Sequence, residues 1–164
     1  MTWRGERQYT RLVLIGVISD THGLLRPDVL PHLHGVDAVI HGGDVGDPDI
    51  LTALRVVAPT HAVRGNTDRQ PWARTLPGTL ALEFAGRIVY VIHDLNDLDL
   101  DPRAAGISVV VSGHTHRPRQ ETRDGVLFLN PGSCGPRRFK LPVGLALLTV
   151  TEQDARAELI TLEH

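Results

Sequence analysis

The sequence predicts an α/β protein built from two sheets packed face to face with helices outside. Three observations carry that expectation. In the N-terminal half, three short apolar runs rich in β-branched residues each end in a polar cluster, and connections between them allow a crossover, as parallel strands joined by βαβ units require. In the C-terminal half, Ala85-Gly86 and Asp124-Gly125 separate apolar runs and signal tight hairpins. At 164 residues the chain is about the size of one domain and long enough to bury a core without disulfides.

The elements follow in order. Residues 12–18 form an apolar run that reads as a buried strand and ends in Ser19-Asp20-Thr21-His22-Gly23. Residues 27–33 read as a short helix or turn, and residues 36–41 as a second strand ending in Gly42-Gly43-Asp44. Asp47-Pro48 supplies a cap and a first-turn proline for a helix over 49–57, with Ile50, Leu51, Leu54 and Val57 on one face and Pro59 as its stop. A third strand over 60–64 ends in Gly65-Asn66-Thr67-Asp68. Strands over 79–84 and 87–92 make a hairpin that runs into His93-Asp94. The acidic stretch 95–106 has room for one or two helical turns. Residues 107–111 form a buried strand ending in Ser112-Gly113-His114-Thr115-His116. A hairpin around Asp124-Gly125, a turn at Asn130-Pro131-Gly132-Ser133, and strands over 144–150 and 157–162 complete the chain.

Composition narrows the function. Seventeen basic and 19 acidic groups give a formal charge of −2, so no bulk electrostatic attraction to nucleic acid or membrane is expected. Aromatic residues are only 4% of the chain, and no basic patch with interleaved aromatics stands out. No stretch approaches the roughly 18 apolar residues of a membrane helix. Residues 1–11 are polar and lack the apolar core of a signal peptide; they read as a loose tail ahead of one domain over 12–162, and the protein as cytoplasmic. Residues 162–164 resemble a tag remnant and are set aside. The single Cys134 can form neither an internal disulfide nor a thiolate cluster, so a bound metal would take His, Asp, Glu or Asn ligands.

Five strand ends supply such ligands: Asp20 with His22, Asp44, Asn66, His93, and His114 with His116. Successive ends lie roughly two dozen residues apart, about one strand plus its return connection. All can therefore meet at one edge. Seven oxygen and imidazole donors exceed one tetrahedral site and suit two cations sharing a carboxylate. Gathered without cations, the same groups would crowd together with little to satisfy them.

With these motifs in their order, the chain resembles the calcineurin-like metallophosphoesterases, specifically the small single-domain bacterial and archaeal phosphodiesterases. The matching pieces are Asp20-Thr21-His22, Gly43-Asp44, Gly65-Asn66-Thr67-Asp68, His93, Gly113-His114-Thr115-His116, Asn130-Pro131-Gly132-Ser133 and Pro136-Arg137. The resemblance implies a four-layer αββα sandwich of two mixed sheets flanked by helices, the metallo-dependent phosphatase fold. It implies a first metal on Asp20, His22 and His116 and a second on Asn66, His93 and His114, with Asp44 bridging. The cofactor would be two divalent ions, Mn favoured and Fe, Ni, Co or Zn accommodated. The activity implied is hydrolysis of small organic phosphodiesters or nucleotides by a metal-bridging hydroxide, with Asp44, Asn66 and His114 as catalytic residues. Arg64 and Asn66 would contact a small phosphorylated substrate, and Asp68 and His41 would support the ligands. The chain departs from the pattern at Thr67, where many relatives carry a leaving-group acid His, and at Asp94, where Gly commonly follows the ligand. Thr67 favours diesters with good leaving groups. The alternative is a weakly active or non-enzymatic protein-interaction scaffold on the same fold. Oligomeric state is open, a homo-oligomer included.

Overall fold

A computed structural model describes residues 11–162. Most of the expected tail 1–11, and residues 163 and 164, lie outside the described residues. The elements in chain order are β1 (Val13–Ile18), α1 (Val29–His32), β2 (Ala38–His41), α2 (Pro48–Val57), β3 (Thr60–Ala62), β4 (Thr79–Phe84), β5 (Arg87–Ile92), β6 (Ile107–Val111), β7 (Arg119–Arg123), β8 (Val126–Asn130), β9 (Gly144–Val150) and β10 (Ala155–Thr161). Short 3-10 turns occupy Pro71–Thr75 and Leu95–Asp97.

Two five-stranded sheets form, in the orders β10-β9-β1-β2-β3 and β4-β5-β6-β8-β7. In the first sheet β1, β2 and β3 are parallel, and β9 and β10 add antiparallel strands. In the second, β5, β6 and β8 are parallel and the hairpin partners β4 and β7 form the edges. The C-terminal half is thus less dominated by hairpins than its turn signals suggest. Ala85-Gly86 and Asp124-Gly125 do close hairpins, each with φ near +50° and then near +78°. The centre of the second sheet, however, is made by crossovers with no local sequence marker.

Alternation along β1 explains the layering. Val13, Ile15 and Val17 face Val89, Val91, Val109 and Val111 of the other sheet. Ile18 faces the helical side with Val29, Leu33, Ile50, Leu51 and Leu54. A Cβ on Gly16 would overlap Leu33, so the short α1 lies directly on β1. The outer face of the second sheet is covered by Leu95, Leu98 and Leu100 rather than by a regular helix, which makes the fourth layer thin.

Several boundaries differ from expectation. Helix α2 is capped by Asp47, which accepts from the Asp49 amide, but Val57 is exposed because it ends the helix beside the extended Ala58. Strand β3 stops at Ala62, since the Arg64 amide bonds to Pro77 and leaves the ladder. Strand β10 starts at Ala155, just after a turn in which Thr151 Oγ1 accepts from the Asp154 amide. The 3-10 turn Pro71–Thr75 was unmarked except by its leading proline. Leu162, set aside as a tag remnant, is buried and donates its amide to Val143.

Candidate metal centre

The carboxyl ends of β1, β2 and β3 meet those of β5 and β6 along one edge. Each delivers its polar cluster in the turn that follows: Asp20 and His22 after β1, Asp44 after β2, Asn66 after β3, His93 after β5, and His114 and His116 after β6. The turns are tight. Asp20, His22, Asp44, His114 and His116 all have left-handed backbone, at φ +55°, +45°, +55°, +72° and +60°. Among the described residues only three other non-glycine positions share that region. Each such residue costs about 1 kcal/mol or more, and the cost is met by packing that leaves no room for alternatives. A Cβ on Gly65 would overlap the Asp44 carboxylate, and one on Gly113 would overlap Ser19 Oγ.

Hydrogen bonds engage one end of several candidate ligands and leave the other, and His116 Nδ1 is buried with no hydrogen-bond partner among the described residues. Asp20 Oδ2 accepts from Ser19 Oγ at 2.6 Å and from the His114 amide at 3.1 Å. Its Oδ1 is buried with no hydrogen-bond partner among the described residues and faces Nε2 of His116 at 3.4 Å, His22 at 3.7 Å and His93 at 4.0 Å. Asp44 Oδ1 accepts from the Thr67 amide at 2.9 Å. Asp44 Oδ2 lies 3.3 Å from His93 Nε2 and 3.6 Å from His22 Nε2. His93 Nδ1 lies 2.7 Å from the Gly42 carbonyl and must donate to it, so in the neutral ring Nε2 carries a lone pair. That lone pair points at Asn66 Oδ1, 3.0 Å away. Asn66 Oδ1 also lies 3.2 Å from His114 Nδ1, and the Nε2 atoms of His22 and His116 are 3.3 Å apart.

Lone pairs facing lone pairs in a buried pocket need protons or cations between them. Without metal, protons do part of this. Burial alone would push the His93 imidazolium down, but Asp44 and Asp20 outweigh it and hold its pKa up at about 9. Burial works against the Asp44 carboxylate, yet His93 and the Thr67 amide keep it well below the usual range. Asp20 is likewise held low, with burial overcome by His116 and Ser19. His22 is pushed down by burial despite Asp44 and Asp20. Two sets of donor atoms, on Asp20, His22 and His116 and on Asp20, Asp44 and His93, lie mutually within 4.8 Å, close enough for one cation each. Asn66 Oδ1 and His114 Nδ1 extend the second set. The donor set and the orphaned Asp20 Oδ1 fit divalent cations.

The surrounding residues fix the loops. Asp68 accepts from the amides of Val45, Gly46 and Gly65 at 3.1, 3.1 and 2.9 Å, tying the Asp44 loop to the Asn66 loop. Both its oxygens are spent there, and none pairs with Arg64. His41 is fully buried, accepts the Gly43 amide on Nδ1 at 3.1 Å, and so donates from Nε2 to Thr21 Oγ1 at 2.9 Å. Burial holds its pKa down at about 4, so it is neutral. It joins the Asp20–His22 turn to the Asp44 turn without touching a ligand side chain. The turn at Asn130 clamps from the other side: Asn130 Nδ2 donates to the Gly113 carbonyl at 2.9 Å, and Ser133 Oγ to the Asp20 carbonyl at 2.9 Å. Ser19, which orients the Asp20 carboxylate, was passed over in the sequence; its only signal is its place beside Asp20. Arg64 is exposed and lines a cleft of about 410 Å³ with Asn66, His93 and Asp94. Asp94 Oδ2 lies 3.6 Å from His114 Nε2, so this carboxylate turns toward a candidate ligand. His32 and His34 are exposed and stand apart from the centre.

Comparisons with known proteins identify the family and the fold. The calcineurin-like phosphoesterase superfamily domain matches residues 13–153. A probable metallophosphoesterase of Methanocaldococcus jannaschii is 37% identical over 165 residues, covering 93% of this chain and 83% of that protein. A structurally characterised archaeal phosphodiesterase superposes with TM-score 0.70 at 25% identity, over 92% of this chain and all of that one. Vacuolar protein sorting 29 from Cryptosporidium parvum has the same fold, with TM-score 0.73 at 17% identity over 93% of this chain and 99% of the other.

Proposed function

The chain belongs to the calcineurin-like phosphoesterase superfamily, and on that premise we propose that it is a binuclear metal-dependent phosphodiesterase acting on small organic phosphodiesters or nucleotides. The observation that carries the reading is the position of Asp44 Oδ2 between His22 and His93, beside the unpartnered Oδ1 of Asp20. Asp20, His22 and His116 would hold the first cation, Asn66, His93 and His114 the second, and Asp44 would join them. Mn is favoured; Fe, Ni, Co or Zn suit the same mixed donors. Two such cations supply an acidified water as nucleophile and positive charge for the phosphoryl oxygens.

The chain's own groups orient the substrate. Asn66 directs Oδ1 inward, which leaves its amide hydrogens for a phosphate oxygen. Arg64, on the rim of the adjoining cleft, adds a cation for the same anion. Thr67 donates its backbone amide to Asp44 and has no side-chain acid to protonate a leaving group. The leaving alcohol must therefore depart without help from this position, which favours diesters with stable alkoxides. No helix among the described residues is long and apolar enough to cross a membrane.

Hydrolysis of bis(4-nitrophenyl) phosphate with added Mn tests the proposal. A chelator should abolish turnover, and Asp44→Ala should lower kcat/KM by about a hundredfold or more. A full metal-dependent rate in Asp44→Ala would overturn the reading. Absence of turnover with every metal, together with a stoichiometric protein partner, would favour the scaffold alternative.

A further inference from the structure

The segment that leads away from the Asp20–His22 turn carries an aromatic side chain that the phosphoryl chemistry does not use. The segment after Asn130 lies on the Asp20–His22 turn: Ser133 Oγ bonds to the Asp20 carbonyl, the Cys134 amide to the Ser19 carbonyl at 3.2 Å, and a Cβ on Gly135 would overlap the carbonyls of Asp20 and Thr21. From there Pro136, Arg137, Arg138, Phe139 and Lys140 emerge, all exposed. The Leu141 amide bonds back to the Arg138 carbonyl at 3.1 Å, so Phe139 and Lys140 form the tip of a tight turn. Phe139 is 93% exposed and makes no ring or cation–π contact with the described residues.

Two features argue against an incidental exposed ring. The backbone at Phe139 is left-handed, φ +53°, where Gly or Asn would be easy and a bulky aromatic is strained. The other two phenylalanines, Phe84 and Phe128, are partly buried against the cores. Phe139 is also flanked along the chain by Arg137, Arg138 and Lys140, with no acidic residue between 125 and 151. Arg138 is near enough to the centre for its charge to act on His22. Three residues lie between Gly135 and Phe139, so four Cα steps limit the distance between their Cα atoms to about 14 Å. A flat ring beside cations, at the rim of a phosphoryl site, matches a base next to its phosphate.

We propose that Phe139 is a base-stacking platform that makes this site selective for nucleoside phosphodiesters over base-free diesters. The base lies on the Phe139 ring, Arg138 meets phosphate charge, and the scissile phosphorus sits over Asp44. The inference rests on the phosphodiesterase reading for its substrate, but its test separates the two. With Mn, the kinetics of the 4-nitrophenyl ester of thymidine 5′-monophosphate and of methyl 4-nitrophenyl phosphate, which share one leaving group and differ in the nucleoside, are compared. Phe139→Ala should raise KM for the nucleoside ester about tenfold and leave the base-free ester unchanged, while Phe139→Trp restores the nucleoside-ester KM. Independently of turnover, the Phe139→Trp protein, measured against wild type, should lose Trp emission on adding adenosine 5′-monophosphate and not ribose 5-phosphate. Equal loss of activity on both esters in Phe139→Ala, or equal quenching by both monophosphates, overturns the platform. If neither ester is cleaved but adenosine 5′-monophosphate alone quenches, the platform stands and the phosphodiesterase reading falls.

Discussion

Removal of the Asp68 carboxylate should loosen the centre without touching a ligand. Asp68 is buried and accepts three backbone N–H groups, from Val45, Gly46 and Gly65. A hydrogen bond to a charged group contributes about 1.5–3 kcal/mol, and a buried donor left unpaired costs about 1–3 kcal/mol. The Val45 and Gly65 bonds are buried, whereas water can reach the Gly46 amide. Asp68→Ala should therefore destabilise the metal-free protein by about 4 kcal/mol, a large share of the roughly 5–15 kcal/mol available to a domain. Asp68→Asn retains one carbonyl oxygen for the two buried amides and sets its NH2 against Gly46, which gives a loss of about 2 kcal/mol. Urea unfolding in the presence of chelator measures both, and the graded order is the signature. Because the same bonds align Asp44 and Asn66, Mn affinity by calorimetry should fall about tenfold or more in Asp68→Ala. A stability change under about 1 kcal/mol in Asp68→Ala would refute the role assigned to these bonds.

Asp94 faces the outer nitrogen of His114, and the tautomer it favours, with hydrogen on Nε2, leaves Nδ1 free for a cation. Asp94→Gly should weaken one Mn site about tenfold in a calorimetric titration and leave the other unchanged; two unaltered sites would contradict the assignment. His41 supplies a pH dependence. Its folded pKa of about 4 lies below the ordinary 6.5, so its contribution to stability is complete above pH 6.5 and is lost as pH falls toward 4. The loss amounts to about 3 kcal/mol. His41→Asn keeps an acceptor for the Gly43 amide and removes the titration, so the difference between wild type and variant in metal-free unfolding free energy should change by about that amount across the window. A difference independent of pH would show that His41 does not titrate as its burial requires.

The sequence by itself determined which polar residues stand at the strand ends, because the relevant signals are local. An apolar run followed by Asp20-Thr21-His22, Gly43-Asp44 or Gly113-His114-Thr115-His116 marks a strand end with a polar turn, whatever the rest of the chain does. The hairpins at Ala85-Gly86 and Asp124-Gly125 were legible for the same reason, since each turn is specified by its own two residues. The parallel pairing of β5, β6 and β8 was not, because a crossover through 93–106 leaves no marker at either strand. Nor could the sequence distinguish a carboxylate that holds loops from one that offers a free oxygen. Asp68 and Asp20 both follow strands as ordinary acidic residues, yet one spends its oxygens on three amides and the other keeps Oδ1 unpaired. That division depends on which backbone amides the closed fold brings within 3 Å or so of each oxygen. Likewise Phe139 reads as one more apolar residue until the turn that holds it is seen to project it outward into solvent. Donor identity is written residue by residue, whereas donor availability is set by contacts between segments far apart in the chain, so only the tertiary structure could decide it.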